Sequence, residues 1–335
     1  MRIGISVPFV VCSLLVGWPA AHAAEWLLDR TFTVTPGGLL TVNADGGDIT
    51  VKAVDGQQVV VHIVARGSQS VVDELKLSAE QTADGVLVEA LRPAKLSFSF
   101  GNNETRIEVT VPKRYRASLK TSGGDMMVSG LHGDLKGKTS GGDIKLSDID
   151  GPIDVHTSGG DVTATRTTGD MKLGTSGGDV VVSQAKGRVD ASTSGGGLHF
   201  DTIEGSVHGH TSSGDVIGKS LAGDVDVSTS GGDVKLARVD GKVRANTSGG
   251  NVDCEVVGAN RGIWANTSGG NIVLTVAKDI TATLDAASSG GKIISELPVT
   301  TTIAGNKRLT GPINGGGETI YARTSGGSVT LRVAK

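Results

Sequence analysis

Residues 139–174 read TSGGDIKLSDIDGPIDVH followed by TSGGDVTATRTTGDMKLG, two consecutive lines of one 18-residue pattern. The pentad Thr-Ser-Gly-Gly-Asp, or a close variant, begins at Thr121, Thr139, Thr157, Thr175, Thr193, Thr211, Thr229 and Thr247, and returns with looser spacing at Thr267, Ser288 and Thr324. Inside that period lies one of nine: a glycine stands at Gly124, Gly133, Gly142 and every ninth position to Gly250, fifteen in all. Two residues after each comes an apolar side chain, from Met126, Leu135, Ile144 and Ile153 through to Val252. Two further on the position is again mostly apolar or small, as at Val128, Leu146, Val155 and Val182. Alternation over four or five residues between glycine turns is a strand signal, and no stretch offers a 3.6-residue period over helix length. Each nine-residue unit therefore reads as one turn and one short strand. Two units make a coil, because the turn chemistry repeats at 18. The fold this predicts is all-β: a right-handed parallel β-solenoid with 18-residue coils and two short strands per coil. Glycine at the turns is expected to supply positive φ, and stacking between coils to supply the burial that one coil lacks.

An outward position three residues after the second glycine of each coil tests the register. It reads Lys136, Asp154, Lys172, Asp190, His208, Asp226, Arg244, alternating in sign at every step. Coils stacked at about 4.8 Å would place each charge between two opposite ones; a wrong register would scatter the pattern.

Outside the array, residues 1–23 carry Arg2, an apolar run over 7–16 and Ala21-His22-Ala23, the signature of a secretory signal cleaved after Ala23. The apolar run is too short to span a bilayer. No transmembrane segment is expected in the mature chain, and the protein is expected to be extracytoplasmic: periplasmic, cell-surface or secreted. Cleavage removes Cys12 and leaves Cys254 alone, so no intrachain disulfide can form. Residues 24–116 read as a β-rich N-terminal cap, 117–280 as the regular array and 281–335 as irregular C-terminal coils. In the cap, 49–51 and 59–64 read as strands, 75–77 with 86–90 as a hairpin, and 96–100 with 106–111 as another. The final strand, 329–333, has little chain behind it and is expected to leave a free edge unless 298–320 fold over it. A formal net charge of −3 gives no basic footprint for nucleic acid. Glycine at 51 of 335 residues, with 3% aromatics, would suggest disorder, but the fixed spacing of the apolar residues argues against it.

The segment 39–51 with its Gly47-Asp48-Ile49, the Val109-Thr110-Val111-Pro112 stretch leading into the array, and the serial pentads together resemble a family of bacterial candidate adhesins built of β-strand repeats. The resemblance covers most of the mature chain. It implies a β-solenoid and export, and carries over no catalytic or binding residues.

The residues offer few sites. The turn column Asp125, Asp143, Asp161, Asp179, Gly197, Asp215, Asp233, Asn251, Asn271 stacks like charges, which repel unless compensated. Calcium between aspartate-bearing turns is one answer. The other, preferred here, is that each aspartate accepts hydrogen bonds from its own turn or from Ser and Thr hydroxyls. In this sequence Asp immediately precedes the inward residue, unlike the calcium-binding nonapeptide. His208 and His210 share an outward face and could hold a surface metal, though His208 already fits the charge ladder as a cation. Residues 174–178 match Gly-x-Ser-x-Gly but belong to a repeated turn with no helix after it. Cys254 falls in an inward column with Val128, Leu146, Ala164, Val182, Phe200, Gly218 and Leu236. No cofactor or catalytic residue is indicated. The expectation is a non-enzymatic adhesin-like or envelope scaffold whose partner is a surface protein or polysaccharide; the alternative is a calcium-dependent module using Asp125, Asp143, Asp161, Asp179, Asp215 and Asp233.

Overall fold

Two strands of unequal length make each coil. In residues 139–156 the pentad turn leads into Ile144–Asp150, a second turn at Gly151 and Pro152 follows, and Ile153–His156 completes the circuit. Each strand pairs in parallel with its equivalents one coil before and after: Ile144 with Met126 and Val162, Ile153 with Leu135 and Met171. The computed structural model describes residues 24–67, 75–92, 104–300, 303–305 and 307–334. Among them are 31 strands and no helix, in one sheet of 15 strands and one of 16. Strands that pair at about 4.8 Å make the longer stack roughly 70 Å long. The 18-residue coil predicted from the pentads is thus the observed unit. Residues 1–23, expected to be a secretory signal, and residues 96–100 lie outside the described residues.

The inward columns form the core. Every apolar residue two places after a period-nine glycine, from Met126 to Val252, is buried. Its second column is packed by size: Phe200 lies beside Gly218 of the next coil, and a Cβ on Gly209 would stand 3.3 Å from the Phe200 ring. Cys254 is fully buried in the same column.

A third inward column escapes the alternation. Asp148, Arg166, Gln184, Thr202, Ser220 and Arg238 all have φ between 53° and 60°, left-handed backbone that L-residues adopt at a cost. Ladder pairing steps over them: Ser147 meets Thr165, then Ile149 meets Thr167. Each left-handed residue shifts the alternation by one, so Ile149, Thr167, Ala185, Ile203, Leu221 and Val239 turn inward and are buried. The strand expected to be short is therefore seven residues with a bend, while its partner keeps four.

The glycine expectation needs correction. In the pentads the glycines at 124, 142, 160 and onward do not have positive φ; they are required because successive turns touch. A Cβ on Gly142 would overlap the carbonyl of Gly124, and the same holds up the stack. Positive φ belongs to the opposite turn, for example Gly169 at 118° and Gly187 at 119°.

Both ends are spliced out of sequence order. Leu39–Ala44 lies between Gly85–Leu91 and Arg116–Lys120, and Asp48–Val54 between Glu104–Pro112 and Met126–Ser129. The two sheets therefore run on through the N-terminal region. Lys76–Gln81 and Gly85–Leu91 form the expected hairpin. Glu104–Pro112 is flanked by Gln58–Gly67 and Asp48–Val54, while its expected hairpin partner 96–100 lies outside the described residues. At the other end Thr319–Thr324 inserts between Ile263–Thr267 and Ala282–Ser288. Val329–Val333 inserts between Ile272–Val276 and Ile293–Ser295. The free edge expected at 329–333 is accordingly covered. Antiparallel strands close the stack: Ala24–Thr33 on Gln58–Gly67, and Arg308–Ile313 on Ala282–Ser288. Buried Tyr115 closes over Gly38 and Gly85, where any Cβ would strike its ring or hydroxyl.

Candidate functional site

The pentad turns are built from three hydrogen-bonded columns. Each threonine is buried and reaches down one coil: Thr139 Oγ1 donates to the Gly124 carbonyl at 3.0 Å and Thr157 Oγ1 to Gly142 at 2.8 Å. The same oxygen accepts from the glycine amide three residues on, as Thr247 does from Gly250 at 3.2 Å. The aspartates reach up. Asp125 Oδ1 accepts from the Asp143 amide at 2.9 Å, Asp143 from Asp161 at 2.9 Å, Asp161 from Asp179 at 2.8 Å and Asp179 from Gly197 at 2.7 Å. Beyond Gly197, which has no side chain to offer, Asp215 accepts from Asp233 and Asp233 from Asn251, each at 2.8 Å. Asn251 and Asn271 continue the relay to Ser328, and Asp48 begins it below Asp125. The acceptors thus serve the next coil's amide, not their own turn as expected. An amide that a parallel ladder leaves without a carbonyl partner is satisfied this way.

This arrangement also answers the stacked charge. Lys145 approaches Asp143 at 3.4 Å and Lys235 approaches Asp233 at 3.1 Å. The Asn251 amide, with help from Lys235, holds the Asp233 carboxyl below the usual carboxylate range. Among the described residues no three or more His, Cys, Asp or Glu side chains are grouped to hold a metal ion. His210 Nδ1 lies 2.9 Å from Ser228 Oγ. Ser176 of the Gly-x-Ser-x-Gly match sits in a turn followed by strand Val180–Lys186. Burial pushes the Cys254 thiol up to about 12, so it stays protonated and unreactive at neutral pH.

Outward charge and aromatic side chains combine in one column of the 16-stranded sheet. This column runs in register through Lys136, Asp154, Lys172, Asp190, His208, Asp226 and Arg244, the sign-alternating ladder read from the sequence. Arg244 reaches Asp226 at 3.7 Å. The column then continues with Trp264, Tyr321 and Asp285 on successive strands. The Trp264 and Tyr321 pair was not legible, because the splice brings together residues far apart in the chain. Cations lie over both rings: Lys242 Nζ is 4.8 Å and Arg244 Cζ 5.9 Å from the Trp264 centroid, and Arg323 Cζ is 4.7 Å from that of Tyr321. Asp285 takes Arg323 at 2.6 Å and Arg308 at 3.5 Å. A cleft of about 210 Å3 opens on one side of the aromatic pair beside Arg188, His208, Lys242 and Arg244. A recess of about 770 Å3 opens further along the strands that carry Trp264 and Tyr321, toward the pentad turns, beside Asn266, Lys307, Arg308 and Arg323.

Several solved structures are similar to this chain. A candidate adhesin from Parabacteroides merdae is 12% identical, with 68% of this chain and 95% of that one covered and a TM-score of 0.42. A candidate adhesin from Parabacteroides distasonis is 12% identical over 91% and 97%, with a TM-score of 0.34. A candidate lipid-binding protein from the same organism is 12% identical over 92% and 97%, with a TM-score of 0.25. No curated protein matches the chain significantly. Residues 39–219 and 217–332 match Toastrack DUF4097, so that the spliced N-terminal coils, the regular array and the spliced C-terminal coils all fall within the match, and the chain belongs to the Toastrack DUF4097 family.

Proposed function

We propose that the protein is an exported, non-enzymatic interaction scaffold of the envelope or cell surface, which offers the outer face of its 16-stranded sheet to a partner. The observation that carries this reading is the in-register outward column, whose side chains are exposed or half-buried from Lys136 to Tyr321 and repeat at about 4.8 Å. A backbone hydrogen-bonded on both sides of every strand holds such a column in place before any partner arrives, which lowers the ordering cost of binding. Export is supported by the signal-like residues 1–23.

Two measurements test the reading. The protein recovered from an extracytoplasmic fraction is expected to begin at Ala24; a cytoplasmic, unprocessed chain would count against export. The mature chain is expected to bind envelope fractions, and a triple variant Arg244→Ala, Trp264→Ala, Tyr321→Ala to lose that binding. A triple variant on the outward face of the other sheet, Thr163→Ala, Val181→Ala, His199→Ala, is expected to keep it. Equal behaviour of the two variants would overturn the assignment of the face.

A further inference from the structure

We infer that the strip of the 16-stranded sheet from Arg188 to Arg323 binds an extended anionic polysaccharide laid along the solenoid axis. The inference rests on the reading that this face is the binding surface, and adds what it binds. Trp264 and Tyr321 are direct partners on adjacent parallel strands, so their rings are offset by about one strand spacing, ~4.8 Å. An extended polysaccharide advances by a similar length per monosaccharide, so successive sugars can meet successive strands. The half-buried rings, flanked by Lys242 and Arg323, leave their remaining exposed surface to the apolar C–H face of a pyranose, and the recess further along the same strands supplies Asn266, Ser268 and Ser289 as partners for hydroxyls.

Charge selects an acidic sugar. The chain as a whole carries a formal net charge of −3, yet cations gather around the aromatic pair. Arg188 and Lys242 have no carboxylate within ion-pair distance among the described residues, and Arg308 and Arg323 share the single carboxylate of Asp285. Asp224 and Asp226 temper the cleft without cancelling it. Because Lys242 and Arg323 stand directly over the rings, the matching ligand joins an acid group to an apolar ring face within one unit. A uronic acid does so; a polyphosphate has no such face.

Affinity electrophoresis and calorimetry of the mature protein with polygalacturonate test this, against dextran, polyphosphate and a single-stranded oligodeoxynucleotide. Polygalacturonate is expected to bind and dextran not to. Trp264→Ala and Tyr321→Ala are each expected to weaken binding about tenfold or more. Lys242→Ala with Arg244→Ala is expected to weaken it and flatten its salt dependence. Lys52→Ala with Lys219→Ala, exposed cations on the other sheet, is expected to leave it unchanged. Unaltered thermal unfolding of each variant excludes misfolding as the cause. Absence of polygalacturonate binding overturns the inference, as does polyphosphate or oligonucleotide binding that equals it and ignores Trp264→Ala. If envelope fractions still bind while polygalacturonate does not, the scaffold reading stands and this one falls. If neither binds, both fall.

Discussion

Adjacent glycines in one turn carry different constraints. A Cβ on Gly141 would meet only Gly123 backbone at 3.5 Å, ordinary contact, whereas one on Gly142 would overlap the Gly124 carbonyl. Gly141→Ala is therefore expected to change stability by less than about 0.5 kcal/mol, and Gly142→Ala to destabilise by about 1–3 kcal/mol or more by forcing coils apart. Urea unfolding of the two single variants checks this; equal effects would refute close approach as the reason for glycine. The sequence shows glycine at both positions and so cannot tell them apart.

Asp233 gives the residue-scale pH dependence. Its carboxyl is held below the usual range by the Asn251 amide and Lys235. A lowered folded value means that its contribution is present above the unfolded value, about 3.9, and is lost as pH falls through the lower folded value. Asp233→Asn keeps an acceptor for the Asn251 amide without the charge. The native protein is expected to be the more stable above pH 4, with the gap closing toward pH 2, as thermal midpoints across that range would show. Since the Oδ1 atoms along the column already serve amides, millimolar calcium is expected to leave the neutral-pH midpoint unchanged; a rise would revive the calcium-binding alternative.

At the scale of the strand, period two was readable and its interruption was not. Val180 is fully buried and Val181 half-buried on the other face. Val180→Asp is expected to cost several kcal/mol by placing an unpaired charge in the core. Val181→Asp is expected to stay within about 1 kcal/mol, judged by the same unfolding measurement. The alternation then fails at Asp148 and its equivalents, where strict period two would turn Asp, Arg, Gln, Thr, Ser and Arg inward. That run of polar residues at an expected core column was the available signal. Only the left-handed backbone explains it, and it in turn hides the column Ile149 to Val239. Regular coils were legible because each repeats a local rule. Trp264 beside Tyr321 was not, because their pairing depends on which coil the chain visits last.

For the whole molecule the 18-residue period makes a length prediction. Deleting residues 157–174 removes one long strand, one short strand and both turns, so every column rejoins its own kind. Deleting 157–165 alone would set a short strand where a long one belongs and turn the left-handed residues out of line. The 18-residue deletion is expected to fold cooperatively and shorten the particle by about 4.8 Å, and the nine-residue deletion to lose its cooperative melt. Circular dichroism on heating, with small-angle scattering for length, decides between them.

The splices also determine how the molecule carries load. Among the described residues the strand Ala24–Thr33 is paired on one side, to Gln58–Gly67, and can peel away from its edge. The strand Val329–Val333 is gripped on both sides, by Ile272–Val276 and Ile293–Ser295, and can leave only if both neighbours let go together. Tension applied through these two strands is therefore expected to peel Ala24–Thr33 from its edge before Val329–Val333 gives way.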